Sequence, residues 1–319
     1  MGFDVVGLGL NATDVAIEVP HYPAFNSKVE FTAARWQAGG QVATALVVCQ
    51  RLGLKTKYIG RVGDDPMGQF QLESLRPEGI DLTDLVVVPG CANQCAYIVI
   101  EEQSGERTII WRRDPRLIIR PEDLRPEMIA GAGLVHVDGH DTAAAARLAA
   151  WARQASLPVT ADVDNIYPGL PALLDSTTHL ISSASLPAAY TGESDYFRAL
   201  PEICRRHPTV QLAAATLGQD GVLGFEDGGF LYAPAYAVRC RDTTGAGDVF
   251  HGAFAFGLLQ GWATPRILDF SNAVAALNSQ AVGARGGIPT QAAAEELMAR
   301  GAKHPPRWPA LVASSGAGR

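Results

Sequence analysis

The stretch RDTTGAGDVFHGAFAF, residues 241–256, places three small residues between two threonines and one aspartate and then continues as an apolar, aromatic helical pattern. The small residues Gly245, Ala246 and Gly247 leave the backbone uncovered where the predicted helix begins. The first N–H groups of a helix have no partner within it and carry the positive end of its dipole, so such a start binds anions and suits phosphate in particular. The aspartate, Asp248, lies in the first turn of that helix.

These residues alone leave two roles open for Asp248. It can be the base of an active site whose phosphate is held by the turn before it. Alternatively, Thr243 or Thr244 caps the helix and Asp248 only complements the helix dipole. We expect the dipole to hold the pKa of Asp248 below its ordinary value. His251, one turn later, can share a hydrogen bond with Asp248 or be an ordinary helix histidine.

Strand-length apolar runs alternate with stretches of helical period along most of the chain. Strands are predicted at residues 56–62, 134–138, 158–162, 179–182, 210–216 and 236–240, and helices at 66–77 and 142–155. This alternation predicts an α/β fold, a doubly wound, mostly parallel sheet with helices on both faces. We expect residues 1–302 to form one domain and residues 303–319, rich in proline and small residues, to form a loose C-terminal tail.

Two segments depart from this rhythm and predict a small antiparallel β lid, inserted from about 15–36 and 94–113. Residues 28–36 alternate apolar and polar side chains as a half-buried strand does. Residues 97–111 contain two alternating runs around a polar turn at 103–106, which is typical of a hairpin. Such a layer can close over a site or pair with another subunit.

Composition excludes several classes of function. The chain has 319 residues, 47% of them apolar, and a net charge of −7, so we expect neither nucleic acid nor an anionic membrane as partner. We find no apolar run of about eighteen residues and no basic segment before the first apolar residues, and we expect a cytoplasmic protein. The five cysteines lack CxxC spacing, which argues against a disulfide framework or a zinc site.

Two further glycine segments follow or precede predicted elements. GLGLNA, residues 7–12, fits the dinucleotide fingerprint, but the residues after it favour a turn and an extended segment instead of the required helix, so we exclude a dehydrogenase. Asp14, just beyond the first strand, is placed where α/β proteins bind ligands, or it is a turn aspartate. Gly39 and Gly40 precede a helical pattern and can let the backbone approach a ligand or simply form a turn.

Four motifs in this order resemble the ribokinase-like, or PfkB, family of carbohydrate kinases, and the similarity spans about residues 4–290. They are AGGQVATALVVCQRLG at 38–53, TLGQDGV at 216–222, DTTGAGDVFHGAFA at 242–255 and VGARGGIP at 282–289. The Walker motif of P-loop enzymes and the HRD and DFG motifs of protein kinases are absent from the sequence. The resemblance implies ATP-dependent transfer of a phosphoryl group to a sugar hydroxyl, with a lid that often contributes to a homodimer.

The resemblance also assigns roles to single residues. Asp248 would accept the proton of the attacking hydroxyl, and the N–H groups of Gly245, Ala246 and Gly247 would hold the charge that develops on the phosphoryl group. Magnesium would bridge the phosphates of ATP. The implied sugar-binding residues are Asp14, Lys28, Gly39, Gly40, Thr44 and Trp111. The implied nucleotide-binding residues are Thr216, Gly218, Gly221, Asn272 and Ser279. Asp242 and Thr244 match positions that bind a monovalent cation such as K⁺ in some members.

The chain departs from the family pattern at two places. Thr44 replaces a common asparagine, so it either donates a hydrogen bond to the sugar or is an ordinary helical residue. The NxxE motif, which is linked with magnesium, reads SASL at 183–186, and Asp162, Asp164 or Glu193 would have to substitute for its carboxylate through water.

The motifs favour the fructokinase-like and sulfofructose kinase branch of the family. Arg112 and Arg113 can receive an anionic sugar or be solvated lid residues. Asp141 can face a ligand or cap the next helix. The competing hypotheses are a non-catalytic sugar- or nucleotide-binding regulator on the same fold, or a kinase of a nucleoside or a sugar phosphate.

Overall fold

The computed structural model describes residues 2–103 and 107–315. Its strands are β1 Phe3–Leu8, β2 Ala12–Val19, β3 Ala33–Gly39, β4 Thr56–Gly63, β5 Leu85–Val88, β6 Cys95–Glu101, β7 Arg107–Arg112, β8 Ala132–Asp138, β9 Val159–Val163, β10 His179–Ser183, β11 Leu212–Thr216, β12 Val222–Glu226 and β13 Gly229–Ala233. Its helices are α1 Gln41–Arg51, α2 Pro66–Leu75, α3 Thr142–Gln154, α4 Leu170–Leu174, α5 Leu186–Thr191, α6 Tyr196–Arg206, α7 Ala246–Leu259, α8 Thr264–Asn278, α9 Gln291–Arg300 and α10 Pro309–Ser315.

Nine strands form one sheet in the order β13-β12-β11-β10-β9-β8-β1-β4-β5. The strands from β11 to β5 run parallel, and β12 pairs antiparallel with both β11 and β13. Side chains that alternate along β1 enter two separate cores, because successive residues of a strand face opposite sides of the sheet. Val6 packs into the core that includes α3 and α4, whereas Val5 packs into the core formed with α1, α7 and α8. This arrangement confirms the predicted doubly wound α/β fold.

A second sheet of four strands, in the order β3-β2-β6-β7, forms the lid. Strand β2 runs antiparallel to β3 and parallel to β6, and β6 and β7 are antiparallel. The predicted small β lid is therefore confirmed, but the sheet is mixed instead of wholly antiparallel, because β2 and β6 run parallel. Part of its predicted turn, residues 104–106, lies outside the described residues.

Two predicted strands are wrong in extent. Residues 28–32 precede β3 without belonging to it, and the side that alternation would bury is not buried, since Phe31 is 58% exposed and Val29 is only half-buried. Residues 236–240 form no strand. Tyr236 makes a single bridge to Lys303, and Ala237 N–H donates to the carbonyl of Ala302, so this segment pairs with the chain after α9 instead of the sheet.

The C-terminal region also differs from the predicted loose tail in its described part. Trp308 packs edge-on against Tyr232 at a centroid distance of 5.2 Å and against Phe197 at 5.6 Å. An aromatic side chain buries a large apolar area, which ties residues 303–312 to β13 in spite of their prolines. Within the described residues, no helix is both long and apolar enough to cross a bilayer.

Candidate active site

The site lies where the parallel strands end. Asp138 ends β8, Asp162 lies near the end of β9 directly across from it, and Thr216 ends β11. Ligands of open α/β sheets bind beyond the carboxyl ends of the strands. Helix α7 begins at this edge and packs against both β8 and β9.

The start of α7 resolves one of the alternatives for its cap. The N-cap is Gly245, with φ of 72°, so neither threonine occupies the cap position. A side chain at Gly245 would meet Ala284 at 2.5 Å, which together with the left-handed backbone requires glycine here. A Cβ at Gly247 would meet nothing within 4 Å, so the space in front of this turn is open. Ala246 N–H donates to the carbonyl of Thr243 at 3.2 Å.

Asp248 lies in the first turn of α7 and is partly buried. Burial and, to a smaller extent, the negative charge of Asp162 together raise its pKa to about 7, although His251 acts to lower it. The expectation that the helix dipole depresses this pKa is therefore wrong, because desolvation and a neighbouring carboxylate outweigh the dipole. A carboxylate with a pKa near neutrality is well matched to accept a proton at neutral pH.

His251 pairs with Asp162 and not with Asp248. The distance between His251 Nε2 and Asp162 Oδ1 is 3.2 Å, and both side chains are buried. This pairing lowers the pKa of Asp162 in spite of its burial. The ring of His136, which bonds Thr160 Oγ1 through Nδ1 at 2.9 Å, lies 5.6 Å from that of His251. The charges of this buried histidine–carboxylate pair both act on the pKa of Asp248, Asp162 raising it and His251 lowering it.

Asp14 and the glycine pair come together on the lid side of the site. A Cβ at Gly39 would lie 2.6 Å from Asp14 Oδ2, and one at Gly40, where φ is 94°, would lie 2.4 Å from the Cα of Asn11. Both glycines are therefore needed for the close approach of β3 to β2. Burial raises the pKa of Asp14 to about 6, with Arg285 lowering it and Asp242 raising it.

Thr44 is fully buried in α1, and its hydroxyl accepts a hydrogen bond from Arg285 Nε at 3.1 Å. Arg285 also donates to the hydroxyl of Ser74 at 3.1 Å and to the carbonyl of Gly39 at 2.8 Å. Sequence reasoning missed Arg285, because the family resemblance implies only that the segment 282–289 closes the adenine pocket. The available signal was one arginine in an otherwise small and apolar segment.

Gln37 is a second residue that sequence reasoning missed. It lies directly across from Asp14 in the pairing of β2 with β3, and its side chain contacts Gly283. Both polar atoms of its amide are buried, and neither has a hydrogen-bond partner among the described residues. Buried polar groups are normally paired, so an unpaired amide beside Asp14 indicates a position where a polar ligand would bind.

The other two residues implied for the sugar lie farther out. Trp111 is across from Ala96, which is across from Asp14, so Trp111 and Asp14 share one face of the lid sheet. The indole is 60% exposed. Lys28 lies in the loop before β3 and is exposed. The structure thus brings Asp14, Gly39 and Gly40 together and leaves Lys28 and Trp111 at the rim.

The residues implied for the nucleotide surround the β11–β12 loop and α8. A Cβ at Gly221 would lie 2.1 Å from the carbonyl of Ala233, and Asn272 Nδ2 donates to the same carbonyl at 2.9 Å. Thr216 Oγ1 donates to the carbonyl of Ser182 at 3.3 Å, and Gly218 has a φ of 60° in the same loop. These groups are uncharged.

The carboxylate of Asp242 joins two loops beside the anion-binding turn. Its oxygens accept from the N–H groups of Thr244 and Gly283, both at 2.8 Å. The carbonyl of Ser279 accepts from the N–H groups of Arg241 and Asp242. A cavity of about 550 Å³ separates this loop from the lid, with Asp242 and Thr243 on one side and Glu18 and Ile100 on the other.

The three carboxylates considered in place of the NxxE motif have different surroundings. Asp162 is bound to His251, and Glu193 pairs with Arg198 at 2.9 Å. Asp164 is exposed. Its carboxylate accepts from the Tyr167 hydroxyl at 2.9 Å, and its backbone carbonyl accepts from Ser183 Oγ at 2.9 Å. Asp164 therefore lies against the segment that lacks the motif's carboxylate.

The two lid arginines also differ. Arg112 is exposed, as expected of a solvated lid residue. Arg113 instead forms a two-point ion pair with Asp141, at 2.8 and 2.6 Å, and the side chain of Asp141 is 1% exposed. Describing Arg113 as solvated is therefore wrong, and Asp141, although it is the N-cap residue of α3, bonds Arg113 instead of a helix N–H.

Comparison with known proteins agrees with this architecture. A model of the pfkB family carbohydrate kinases matches residues 4–291. The ATP-dependent ribose-1-phosphate kinase of Halopiger xanaduensis is 26% identical over 296 residues, which cover 90% of this chain and 95% of that protein. The ribokinase of Bacillus subtilis is 25% identical, over 91% of this chain and 98% of its own. The crystal structure of a putative ribokinase from Agrobacterium tumefaciens is 30% identical, with a TM-score of 0.86 and coverage of 94% and 98%.

Proposed function

Because the chain belongs to the pfkB family of carbohydrate kinases, we propose that it transfers the γ-phosphoryl group of ATP to a hydroxyl of a sugar bound between the lid and Gly39. The observation that carries this proposal is the approach of two carboxylates from different parts of the fold, one in helix α7 and one in the lid sheet. Asp248 of α7 and Asp14 of the lid are close enough that the charge of Asp14 raises the pKa of Asp248. One carboxylate can hold the sugar while the other takes its proton.

The mechanism follows from positioning and charge, as in other phosphoryl transfers. Asp248 accepts the proton of the attacking hydroxyl as its oxygen bonds to the γ-phosphorus of ATP, while the bond from that phosphorus to the β,γ-bridging oxygen breaks and ADP leaves. The backbone N–H groups at Gly245 and Gly247, together with that of Ala246, which is shared with the carbonyl of Thr243, stabilise the charge on the phosphoryl oxygens. Losing one such donor costs about 10² to 10³ in rate in other enzymes. The open space at Gly247 supports this assignment.

The sugar is held by Asp14, by the backbone of Gly39 and Gly40, and by the amide of Gln37. The last of these has polar atoms that are buried and unpaired among the described residues, and a sugar hydroxyl would satisfy them. Lys28 and Trp111 lie at the rim and contact the sugar only if the lid closes further. Thr44 acts through Arg285 and does not touch the sugar.

Magnesium, when bound, neutralises the phosphates of ATP. In the described part of the chain no group of three or more acidic, histidine or cysteine residues could hold a metal ion. This fits an ion held mainly by phosphate oxygens and water, which Mg²⁺ favours, with one protein carboxylate. Asp164 would hold it through water, because it is exposed and lies beside Ser183.

On the nucleotide side, we assign the β11–β12 loop with Thr216, Gly218 and Gly221 to the phosphates and ribose, and Asn272 and Ser279 to the adenine side. Asp242 and Thr244 would sit at a K⁺ site, supported by the loop that the Asp242 carboxylate orders.

In the lid, three large apolar side chains lie on the face opposite Asp14 and are 43–61% exposed, namely Trp36, Tyr97 and Ile110. An exposed apolar patch of this kind supports a homodimer formed through that face. Light scattering of W36S and wild type would test the dimer.

The test of function is an assay of ATP consumption with Mg²⁺ over a panel that includes ribose, fructose, ribose 1-phosphate, nucleosides and acidic sugars. We expect turnover with one class of sugar above the background rate of ATP hydrolysis. Sugar binding by calorimetry without any ATP use would instead identify a binding regulator, the alternative that the missing NxxE carboxylate favours.

A further inference from the structure

Residues 283–285, here called the bridging segment, contact three separate parts of the site. Gly283 N–H donates to Asp242 Oδ2 at 2.8 Å. Ala284 lies directly against Gly245, where an added Cβ would meet it at 2.5 Å. Arg285 donates to the carbonyl of Gly39 at 2.8 Å. The segment therefore touches the predicted cation loop, the start of α7 and the glycine pair on the sugar side.

The guanidinium of Arg285 is held only by neutral acceptors. They come from three elements, namely Thr44 of α1, Ser74 of α2 and the Gly39 carbonyl at the end of β3. Among the described residues, no carboxylate lies within ion-pair distance of this arginine. A guanidinium has five N–H groups in a fixed plane, so three bonds to three elements define its orientation.

The charge of Arg285 acts on both carboxylates of the proposed site. It lowers the pKa of Asp14 and that of Asp248, against the burial that raises both. Asp242 also raises the pKa of Asp14. Asp162 and Asp14 raise the pKa of Asp248, and His251 lowers it.

Burial lowers the pKa of Arg285 itself to about 10, so it stays protonated at neutral pH. The neighbouring groups Tyr58, Asp248 and Glu78 raise this pKa, and Arg51 lowers it. None of these pairs with its guanidinium. The positive charge is therefore available to the two carboxylates across the whole neutral range.

We propose that Arg285 is a positioning residue for phosphoryl transfer, which holds the sugar-side glycines through Gly39 and Thr44 and keeps a positive charge within reach of Asp14 and Asp248. This inference rests on the proposed function. It connects the nucleotide-side segment to the sugar site, since the bridging segment cannot move away from α7 without pulling Arg285 from Gly39. The sequence pattern assigned Arg285 no such role.

The test compares R285Q and R285K with R51Q. Arg51 is the matched control, because it donates to the backbone carbonyl of Arg285 but lies on the exposed side and pairs with Glu78. For R285Q we expect the KM of the sugar to rise about tenfold, with the KM of ATP changed less than about threefold. The acid limb, which is the pH range where kcat/KM falls on the acid side, should move up by about one pH unit. R285K should keep the acid limb of wild type and lose sugar affinity, because it retains the charge without the three-point geometry.

R51Q should match wild type in both measurements. The proposal is overturned if R285Q shows the sugar KM and acid limb of wild type, or if R51Q loses as much as R285Q. A lower Tm alone, with unchanged kinetics, would make Arg285 a structural residue only. If R285Q does not fold, the sugar KM and pH profile of R285K decide, and wild-type values in both would overturn it. Failure of the proposed function is distinct, because wild type itself would then show no sugar-dependent ATP use.

Discussion

The two halves of the candidate site are built from different chemistry. The sugar side brings Asp14, Asp248 and Arg285 into a partly buried space, and both carboxylates have raised pKa values. The residues assigned to the nucleotide are neutral, and their polar side chains bond backbone carbonyls, such as Asn272 on Ala233. Burying charge is costly unless it is compensated, whereas neutral hydrogen bonds are cheap to keep. We infer that the chain accepts a loss of stability on the sugar side because the chemistry occurs there.

The largest effect should come from removing the charged base. D248N keeps the shape of the side chain but cannot take a proton, so we expect kcat to fall about 10³-fold, with the KM of the sugar changed less than about threefold. Steady-state kinetics and sugar calorimetry measure the two quantities. D175N is the matched control, because Asp175 is 64% exposed and pairs with His207 away from the site. Near-normal turnover of D248N would return Asp248 to a purely structural role at the helix start.

The second effect comes from crowding Asp14. In G39A the new methyl group would lie 2.6 Å from Asp14 Oδ2, so the carboxylate has to move. A displacement of this size at a positioned group costs about 10² in kcat/KM for the sugar. G229A serves as control, because a Cβ there meets only the carbonyl of Glu226 at 3.7 Å. If G39A binds sugar as wild type does, Asp14 does not hold the sugar.

On the nucleotide side the effect should be small and confined to ATP. T216V removes the 3.3 Å bond to the carbonyl of Ser182 without changing the volume of the side chain. We expect the KM of ATP to rise about threefold and the pH profile for the sugar to stay unchanged. A shift of the acid limb in T216V would show that a change on the nucleotide side alters the ionisation of the carboxylates on the sugar side.

The smallest effect is on the free energy of unfolding, and it measures how much the buried charge of Asp248 destabilises the fold. The pKa of Asp248 is raised from 3.8 to about 7, so folding disfavours the ionised form and the free energy of unfolding falls as pH rises between these two values. At pH 8 the cost is fully present, and D248N should be more stable than wild type by about 1 kcal/mol, or about 2 °C in Tm. The difference should narrow at pH 5. Calorimetry that shows D248N less stable at pH 8 would contradict this account.

Periodicity predicted most elements of the sheet, because buried parallel strands and the helices between them carry strong local patterns. It failed where tertiary partners decide. Residues 28–32 alternate as a strand does but leave Phe31 exposed, and residues 236–240 pair with the chain after α9. The composition of residues 303–319 alone predicts a loose tail, but Trp308 of this segment packs against Tyr232 of β13.

The sequence by itself determined the α/β class, the lid, the glycine-rich start of α7 and the family, because each depends on local backbone freedom or on residue spacing along the chain. Only the tertiary structure decided which groups share a charge environment. The pairing of His251 with Asp162, the raised pKa of Asp248 and the reach of Arg285 to Gly39 join residues from distant elements. Burial and Coulomb interactions depend on distance in space, and no spacing along the chain encodes that distance.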